Sequence, residues 1–171
     1  MNRRFSRIAA VFALVATATV TWAASKGEKE EVDVKGVKCL MVAKKDANAS
    51  KSAKWKDGKV FFCCGGCQAK YEKMDKKSRE KMAPAANHQL VATKQYEQGG
   101  CPFSGGKIDE KKTLEVAGAK VGFCCGNCLA KAKKMSDEDK LTKLFGEDAF
   151  KKAKFKLVKK EKDEKTKEEV K

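Results

Sequence analysis

The stretch VFFCCGGCQAKYEK, residues 60–73, holds three cysteines within five positions. A second stretch, VGFCCGNCLAKAKK at residues 121–134, repeats this arrangement. The likeness extends past the cysteines, because a valine and a phenylalanine precede them and an Ala-Lys pair follows them in both stretches. Two such matches in one chain indicate two copies of one module.

The spacing of the other cysteines follows the same repeat. In the first copy, 23 residues lie between Cys39 and Cys63. In the second copy, 22 residues lie between Cys101 and Cys124. The chain's eight cysteines therefore fall into two sets of four, which are Cys39, Cys63, Cys64 and Cys67, and Cys101, Cys124, Cys125 and Cys128.

The residues before each cysteine pair have the pattern of a β-hairpin. Asp57-Gly58 and Ala117-Gly118 each lie between two strand-like arms, and the second arm runs into the paired cysteines. Gly-Gly or Gly-Asn then predicts a tight turn before a helix. Cys67, Tyr71 and Met74 have the spacing of one helical face, so we expect Cys67 in the first helical turn, facing inward. The second copy repeats this spacing with Cys128, Ala132 and Met135.

The segments between and after the cysteine motifs complete a small α+β fold. The first helix is expected to end before Pro84. Residues 87–100 predict a strand and a loop that lead to Cys101. Ser136, with Asp139 three positions later, predicts the start of a further helix. The sequence AKFKLV, residues 153–158, alternates as an edge strand does.

The first residues have the features of an export signal. Three arginines precede an uncharged apolar run at residues 8–20, and small residues then surround Trp22. A permanent membrane anchor is the alternative, but the run is shorter than the ~20 residues that a bilayer span needs. We therefore predict a signal peptide at residues 1–23, a linker at 24–31, and a soluble periplasmic or secreted mature protein.

The chain is strongly basic. Its formal net charge is +16, and removal of the three signal-peptide arginines leaves +13, nearly all from lysine. Export and the scarcity of arginine argue against nucleic-acid binding. We expect a solvated lysine-rich surface, and the alternative is loose attraction to an anionic membrane, an envelope polymer or an acidic protein. The charged tail at residues 160–171 is expected to be a frayed helix or disordered.

Enzymatic function has little support in the sequence. His88 is the single histidine, which argues against Ser-His-Asp chemistry and against a histidine-rich metal site. There is no phosphate-binding loop and no convergent set of acids and bases. Paired cysteines at a helix start occur in thiol–disulfide enzymes, but a thioredoxin-like frame is missing here. We predict that the protein is not an enzyme.

Two roles for the cysteines remain open from the residues alone. Modules this small usually need a metal or disulfides for stability. A lone cysteine before a hairpin and a close pair after it bring three sulfurs together, and thiolates suit zinc or copper(I). Outside the cytoplasm, however, the same thiols can form disulfides. Which member of each Cys-Cys pair would bind a metal is also open.

The arrangement V-x-F-C-C-x-x-C, preceded by a lone cysteine and followed by a lysine-rich helix, resembles the TRASH domain and the related YHS domain. The resemblance covers about residues 37–75 and 99–135. It implies two treble-clef-like modules, a β-hairpin followed by an α-helix, and a role in trafficking, resistance to or sensing of heavy metals. Many relatives carry a second cysteine where this chain has Val42 and Ser104. The implied metal ligands are Cys39, Cys63, Cys67, Cys101, Cys124 and Cys128, with Cys64 and Cys125 as additional candidates.

Together these features predict a first cysteine module at residues 32–98 and a second at 99–159. We expect an exported protein that binds zinc, copper(I) or another heavy metal through thiolates, for sequestration, trafficking or resistance. The alternative is a structural or interaction module of the cell envelope that zinc or disulfides stabilise, with no role in metal handling.

Overall fold

The computed structural model describes residues 32–158 as a small α+β structure of six short strands and six helices. The predicted signal peptide, linker and charged tail lie outside the described residues. None of the helices within residues 32–158 combines the length and the apolar character that crossing a membrane requires. The α+β prediction is confirmed, and the treble-clef assignment stays a prediction.

The two halves contain the same elements in the same order. The first half contains β1 (Asn48–Trp55), β2 (Gly58–Phe62), α1 (Gly65–Glu72), α2 (Lys76–Lys81), α3 (Ala83–Ala92) and β3 (Tyr96–Glu97). The second half contains β4 (Asp109–Val116), β5 (Ala119–Phe123), α4 (Gly126–Lys133), α5 (Asp137–Phe145), α6 (Glu147–Lys152) and β6 (Lys156–Leu157). The structural repeat thus extends well beyond the cysteine motifs. The last strands of the two halves, β3 and β6, pair with each other in antiparallel fashion.

Both predicted hairpins are present. Strands β4 and β5 are joined by Ala117-Gly118, as expected, with Val116 opposite Ala119. In the first hairpin Trp55 lies opposite Gly58, so the turn residues are Lys56 and Asp57, one position earlier than predicted. Lys56 adopts a positive φ of 51° at the start of its turn, as Ala117 does with 45°. In both halves the second strand of the hairpin, β2 or β5, ends directly before the paired cysteines.

The helices that follow the cysteine pairs begin sooner than expected. Gly65 is the first residue of α1 and Gly126 is the first of α4, so the predicted separate glycine turn is wrong. The glycines instead form part of the first helical turn, where Cys67 and Cys128 also lie. The predicted helix start at Ser136 is confirmed, because its Oγ accepts a hydrogen bond from the Asp139 N–H at 3.1 Å.

The strand predicted at the start of residues 87–100 is wrong. This segment begins within α3, which carries Pro84 in its first turn and buries Ala83, Ala86 and Leu90 on one face. Those apolar residues have helical spacing, but the polar residues between them make this spacing hard to recognise in the sequence. The expected strand is reduced to the two residues of β3. At the other end of the repeat, β6 confirms an edge strand within residues 153–158.

Helix α3 connects two apolar cores. Ala86 belongs to the first, which surrounds Cys39, Phe62 and Tyr71. Leu90, one turn further along α3, belongs to the second. That second core has Cys101, Val121, Phe123, Leu144 and Phe145 among its buried members. Because one helix contributes to both cores, the two halves share their interior.

Polar contacts of α3 also join the halves. The fully buried Asn87 side chain accepts a hydrogen bond from Trp55 Nε1 at 2.9 Å. It donates to the Phe145 carbonyl at 2.9 Å and to Glu147 Oε1 at 3.1 Å. The neighbouring His88 places Nε2 2.7 Å from the Val116 carbonyl oxygen. These contacts fix α3 against the second hairpin and the start of α6.

Candidate metal centres

Three cysteine sulfurs meet in the first half of the molecule. The Sγ atoms of Cys39, Cys63 and Cys67 all lie within 4.8 Å of one another. Cys39 comes from the loop before the first hairpin, Cys63 follows β2, and Cys67 lies in the first turn of α1. Cys63 and Cys67, four residues apart, have their sulfurs 3.6 Å apart.

The second half contains an equivalent group. Cys101, Cys124 and Cys128 also have their sulfurs within 4.8 Å of one another. The Cys124 and Cys128 sulfurs are 3.8 Å apart. The structure therefore brings together the six cysteines that the resemblance implied as ligands, in two groups of three.

These distances suit a single ion at the centre of each group. A zinc–sulfur bond of ~2.3 Å places two sulfurs of a tetrahedral site about 3.8 Å apart, and two sulfurs of a trigonal planar site about 4.0 Å apart. The observed separations of 3.6 and 3.8 Å are close to these values. Each triad could therefore hold a metal ion with small adjustments of its side chains.

Short loops position the two lone cysteines. The Cys39 N–H donates to the Lys45 carbonyl at 2.8 Å, and the Cys39 carbonyl accepts from the Val42 N–H at 3.2 Å. In the tighter second loop, Cys101 donates to the Gly106 carbonyl at 2.9 Å and accepts from the Gly105 N–H at 2.7 Å. Gly105 takes a φ of 72°, which a residue without a side chain adopts at little cost. Both loops turn a cysteine back toward the helix start.

The lone cysteines ionise more easily than an ordinary thiol. Burial raises the pKa of Cys39, but the backbone N–H groups of Cys63, Met41 and Val42 favour the thiolate and lower that pKa overall. Burial of Cys101 is outweighed in the same way by backbone donors at Cys124 and Ser104 and by the Ser104 hydroxyl, which bring the pKa of Cys101 to about 6. Each triad thus contains a cysteine whose surroundings favour negative charge.

Cys63 of the first triad and Cys128 of the second hold their protons at neutral pH. Burial and hydrogen bonding to the neighbouring sulfurs of Cys39, Cys67 and Cys64 raise the pKa of Cys63 to about 12. Burial and the sulfurs of Cys125, Cys124 and Cys101 raise the pKa of Cys128 to about 12. A cation that enters a triad therefore takes the place of protons.

Cys64 and Cys125 lie outside the two groups of three. The Cys64 sulfur is 3.8 Å from that of Cys63, but Cys64 is exposed and does not join the converging set. The two residues occupy the N-cap positions of α1 and α4 with the same extended backbone. The backbone N–H of Cys67 lowers the pKa of Cys64, and that of Cys128 lowers the pKa of Cys125.

The rims of the two triads differ. Ser104 places its Oγ 3.2 Å from the Cys124 sulfur and also accepts a hydrogen bond from the Gly106 N–H at 3.2 Å. The corresponding residue of the first half is Val42, whose side chain cannot hydrogen bond. The second triad therefore has a hydroxyl beside a sulfur, and the first has no hydroxyl at the equivalent position.

Two glutamines that the sequence analysis did not identify connect the lone cysteines to the strands. Gln89, from α3, hydrogen bonds with both the N–H and the carbonyl of Phe61 and with the carbonyl of Lys38. Gln98 bonds in the same way with Gly122 and with the carbonyl of Gly100. We call each of these contact sets a glutamine clamp. A glutamine in a helix or loop carries no sequence signal for such a role.

Comparison of the chain with protein-family models, with curated proteins and with solved structures gave no match. The relation to TRASH and YHS domains thus remains a prediction from the sequence.

Proposed function

We propose that this protein is an exported, non-catalytic protein of the TRASH and YHS type that binds two soft metal ions through cysteine thiolates. The observation that carries the proposal is the convergence of three sulfurs at two equivalent places, each within 4.8 Å. The repeat of hairpin, cysteine pair and helix supports the same role for both places.

The donor set favours soft or borderline ions. Each triad offers sulfur ligands, which suit zinc and copper(I) far better than magnesium or calcium. The groups found among residues 32–158 contain neither histidine nor carboxylate. We therefore propose zinc, copper(I) or a related heavy metal as the bound ion.

Three protein ligands leave room for exchange. A structural zinc site is usually closed by four protein ligands, whereas a site with three keeps a position for an outside ligand. An incoming thiol could attack the ion at that position and take it over. This arrangement supports sequestration, trafficking or resistance as the purpose of binding, with an acidic envelope protein as a partner for the lysine-rich surface.

The alternative is that the cysteines only stabilise the fold. The burial of Cys39 and Cys101 within the two apolar cores favours this second candidate, because a metal or disulfide there would tie each core together. A structural site predicts that metal loss and unfolding coincide. A handling site predicts that a chelator removes the ion while the fold persists.

The first test is the intact native mass of the mature protein, purified from its own compartment without added metal or reductant. We expect a mass above that of the cleaved polypeptide by two metal ions, which would also identify the element. A mass lower by eight hydrogens, with no metal, would mean that all eight cysteines form disulfides and would contradict the proposal.

Serine substitutions separate the two sites. We expect Cys67→Ser and Cys128→Ser each to bind one ion, and the double variant to bind none, because each removes one of three ligands. Cys64→Ser is the matched control, since Cys64 lies next to a triad but outside it. It should still bind two ions, and a loss of one there would show that Cys64 is itself a required ligand.

A further inference from the structure

We infer that Gln89 and Gln98 are positioning residues of the two metal centres. Each holds a lone cysteine at the distance from the other two cysteines of its triad that one metal ion can bridge. This inference rests on the proposed function, because it assigns these side chains to the same two sites. Neither glutamine touches a triad sulfur in the contacts described, so each would act through the backbone on either side of its site.

Gln89 bridges the two chain segments that form the first site. Its Oε1 accepts a hydrogen bond from the Phe61 N–H at 2.8 Å, and its Nε2 donates to the Phe61 carbonyl at 3.1 Å. The same Nε2 donates to the Lys38 carbonyl at 2.6 Å. Gln89 is 3% exposed, so its amide has little access to water as a substitute partner.

Gln98 forms the same bridge in the second site. Its Oε1 accepts from the Gly122 N–H at 2.8 Å, and its Nε2 donates to the Gly122 carbonyl at 2.9 Å. Nε2 also donates to the Gly100 carbonyl at 2.7 Å. Gln89 lies within α3 and Gln98 follows β3, yet the two glutamines make the same pattern of three hydrogen bonds.

The bridged residues have equivalent places beside the ligands. Phe61 stands two residues before Cys63, as Gly122 stands two before Cys124. Lys38 and Gly100 directly precede the lone cysteines Cys39 and Cys101. Each clamp therefore fixes the distance between the lone cysteine and the end of strand β2 or β5, where the paired cysteines begin. A metal ion in the triad must bridge this distance.

The first site has one further link between its bridged segments. In the first site, the Leu40 N–H also donates to the Phe61 carbonyl at 3.2 Å, which gives a second link between the same segments. The residue that corresponds to Leu40 is Pro102, which has no N–H to donate. The second site lacks this link, but its Gln98 is half-buried, so water can replace the lost contacts there more easily than at the buried Gln89.

Gln95 provides a matched control within the same protein. Its Oε1 accepts from the Lys59 N–H at 2.7 Å, and its Nε2 donates to the Lys59 carbonyl at 2.7 Å. The third contact of Nε2 goes to Thr93 rather than to the segment of Cys39. A substitution there removes a glutamine–strand pair of the same kind without releasing a lone cysteine.

The test replaces each glutamine by methionine, which keeps the length and loses the hydrogen bonds. Cd²⁺ is the probe, because its thiolate charge-transfer absorption reports on sulfur coordination. Cys67→Ser or Cys128→Ser in the background leaves one complete triad for each titration. We expect Gln98→Met to weaken Cd²⁺ binding at the second site by about 10- to 100-fold, the range typical of residues that orient metal ligands. Gln89→Met should weaken Cd²⁺ binding at the first site in the same way, and Gln95→Met should leave Cd²⁺ binding at the first site unchanged.

A second readout needs no metal. In the reduced, metal-free protein, Gln98→Met should speed alkylation of the fully buried Cys101 relative to wild type, and leave Cys39 unchanged. Gln89→Met should speed alkylation of Cys39 and leave the alkylation rate of Cys101 unchanged. Equal effects of Gln95→Met and Gln89→Met on the first site, or no effect of either clamp variant in both assays, would overturn the inference. A wild type that binds no Cd²⁺ would refute the proposed function, while the alkylation rates would still decide whether the clamps position the cysteines.

Discussion

At the scale of single residues, charge is divided unequally within each triad. The lone cysteine of each site is surrounded by backbone donors that favour its thiolate, and burial against other sulfurs keeps Cys63 and Cys128 protonated. At neutral pH the metal-free second triad is therefore neither three thiols nor three thiolates, because the pKa of Cys101 is about 6 and that of Cys128 is about 12. Binding of a cation completes the ionisation and releases protons.

This division predicts how metal affinity depends on pH. At neutral pH, Cys128 must lose a proton on binding because its pKa is about 12, so affinity should rise with pH. Cys101, with a pKa of about 6, is already a thiolate at neutral pH and takes up a proton below that value. As the pH falls through about 6, the affinity of the second site should therefore begin to fall by about one further factor of ten per pH unit.

Cd²⁺ titrations of the Cys67→Ser variant between about pH 5 and about pH 8 would measure this dependence at the second site alone. Circular dichroism of the same variant across this pH range is the control for general effects of acid on the fold. A plot of log affinity against pH with one constant slope through pH 6 would contradict the assignment of the resident thiolate to Cys101.

Single residues also show how much of the candidate site could be predicted from the sequence. The spacing of the cysteines grouped them into two sets of four around a hairpin and a helix start, but it left open which member of each Cys-Cys pair joins the lone cysteine. The resemblance to TRASH and YHS domains implied the six cysteines that the structure brings together. The glutamine clamps could not be predicted in this way. Gln89 and Gln98 gain their roles from partners 28 and 24 residues away in the chain, and no local pattern encodes that pairing.

At the scale of elements, α3 carries most of the contact between the halves. Its sequence contains the buried polar residues Asn87 and Gln89 among its apolar ones, and the buried Thr93 directly follows its last residue. A buried polar residue is acceptable only where tertiary partners satisfy it. Since those partners cannot be seen from the local sequence, this segment was predicted as a strand, whereas the hairpins, with their turn residues and alternating arms, were recognised.

Replacement of Asn87 by alanine should destabilise the protein by about 2–4 kcal/mol, because it leaves the Trp55 Nε1–H and the Phe145 carbonyl without their partner inside the protein. Urea unfolding of the metal-free, reduced protein would measure the loss. Asn48→Ala is the matched control, since Asn48 is exposed and its Oδ1 accepts hydrogen bonds only from nearby Ser50 in the described contacts. Similar losses in the two variants would mean that the buried contacts of α3 add little.

At the scale of the whole molecule, the duplicated elements do not form two independent domains. Leu90, Val91 and Tyr96 come from the first half of the chain but belong to the core that contains Cys101 and Phe123. The β3–β6 pair joins the ends of the two halves as well. Within the described residues, the sequence thus repeats as two modules, but the two modules pack together as one structure.

We therefore expect residues 32–158 to unfold in a single cooperative transition. A chain cut after Gln98 should yield two fragments that fold poorly alone and regain structure when mixed, because each then recovers the core surface that it lost. Circular dichroism of the separate and mixed fragments, followed during urea unfolding, would test this. Two well-separated transitions in the intact protein, or full structure in the isolated 32–98 fragment, would show that the modules are autonomous.

The two glutamine clamps do not occupy equivalent positions of the repeat. Aligned on the lone cysteines, Gln98 corresponds to Gly36; aligned on Lys94 and Lys154, which share a positive φ, Gln89 corresponds to Ala149. Each half therefore makes the same three hydrogen bonds with a glutamine whose counterpart in the other half is glycine or alanine. The repeat preserves the contact pattern around the site without preserving the residue that makes it.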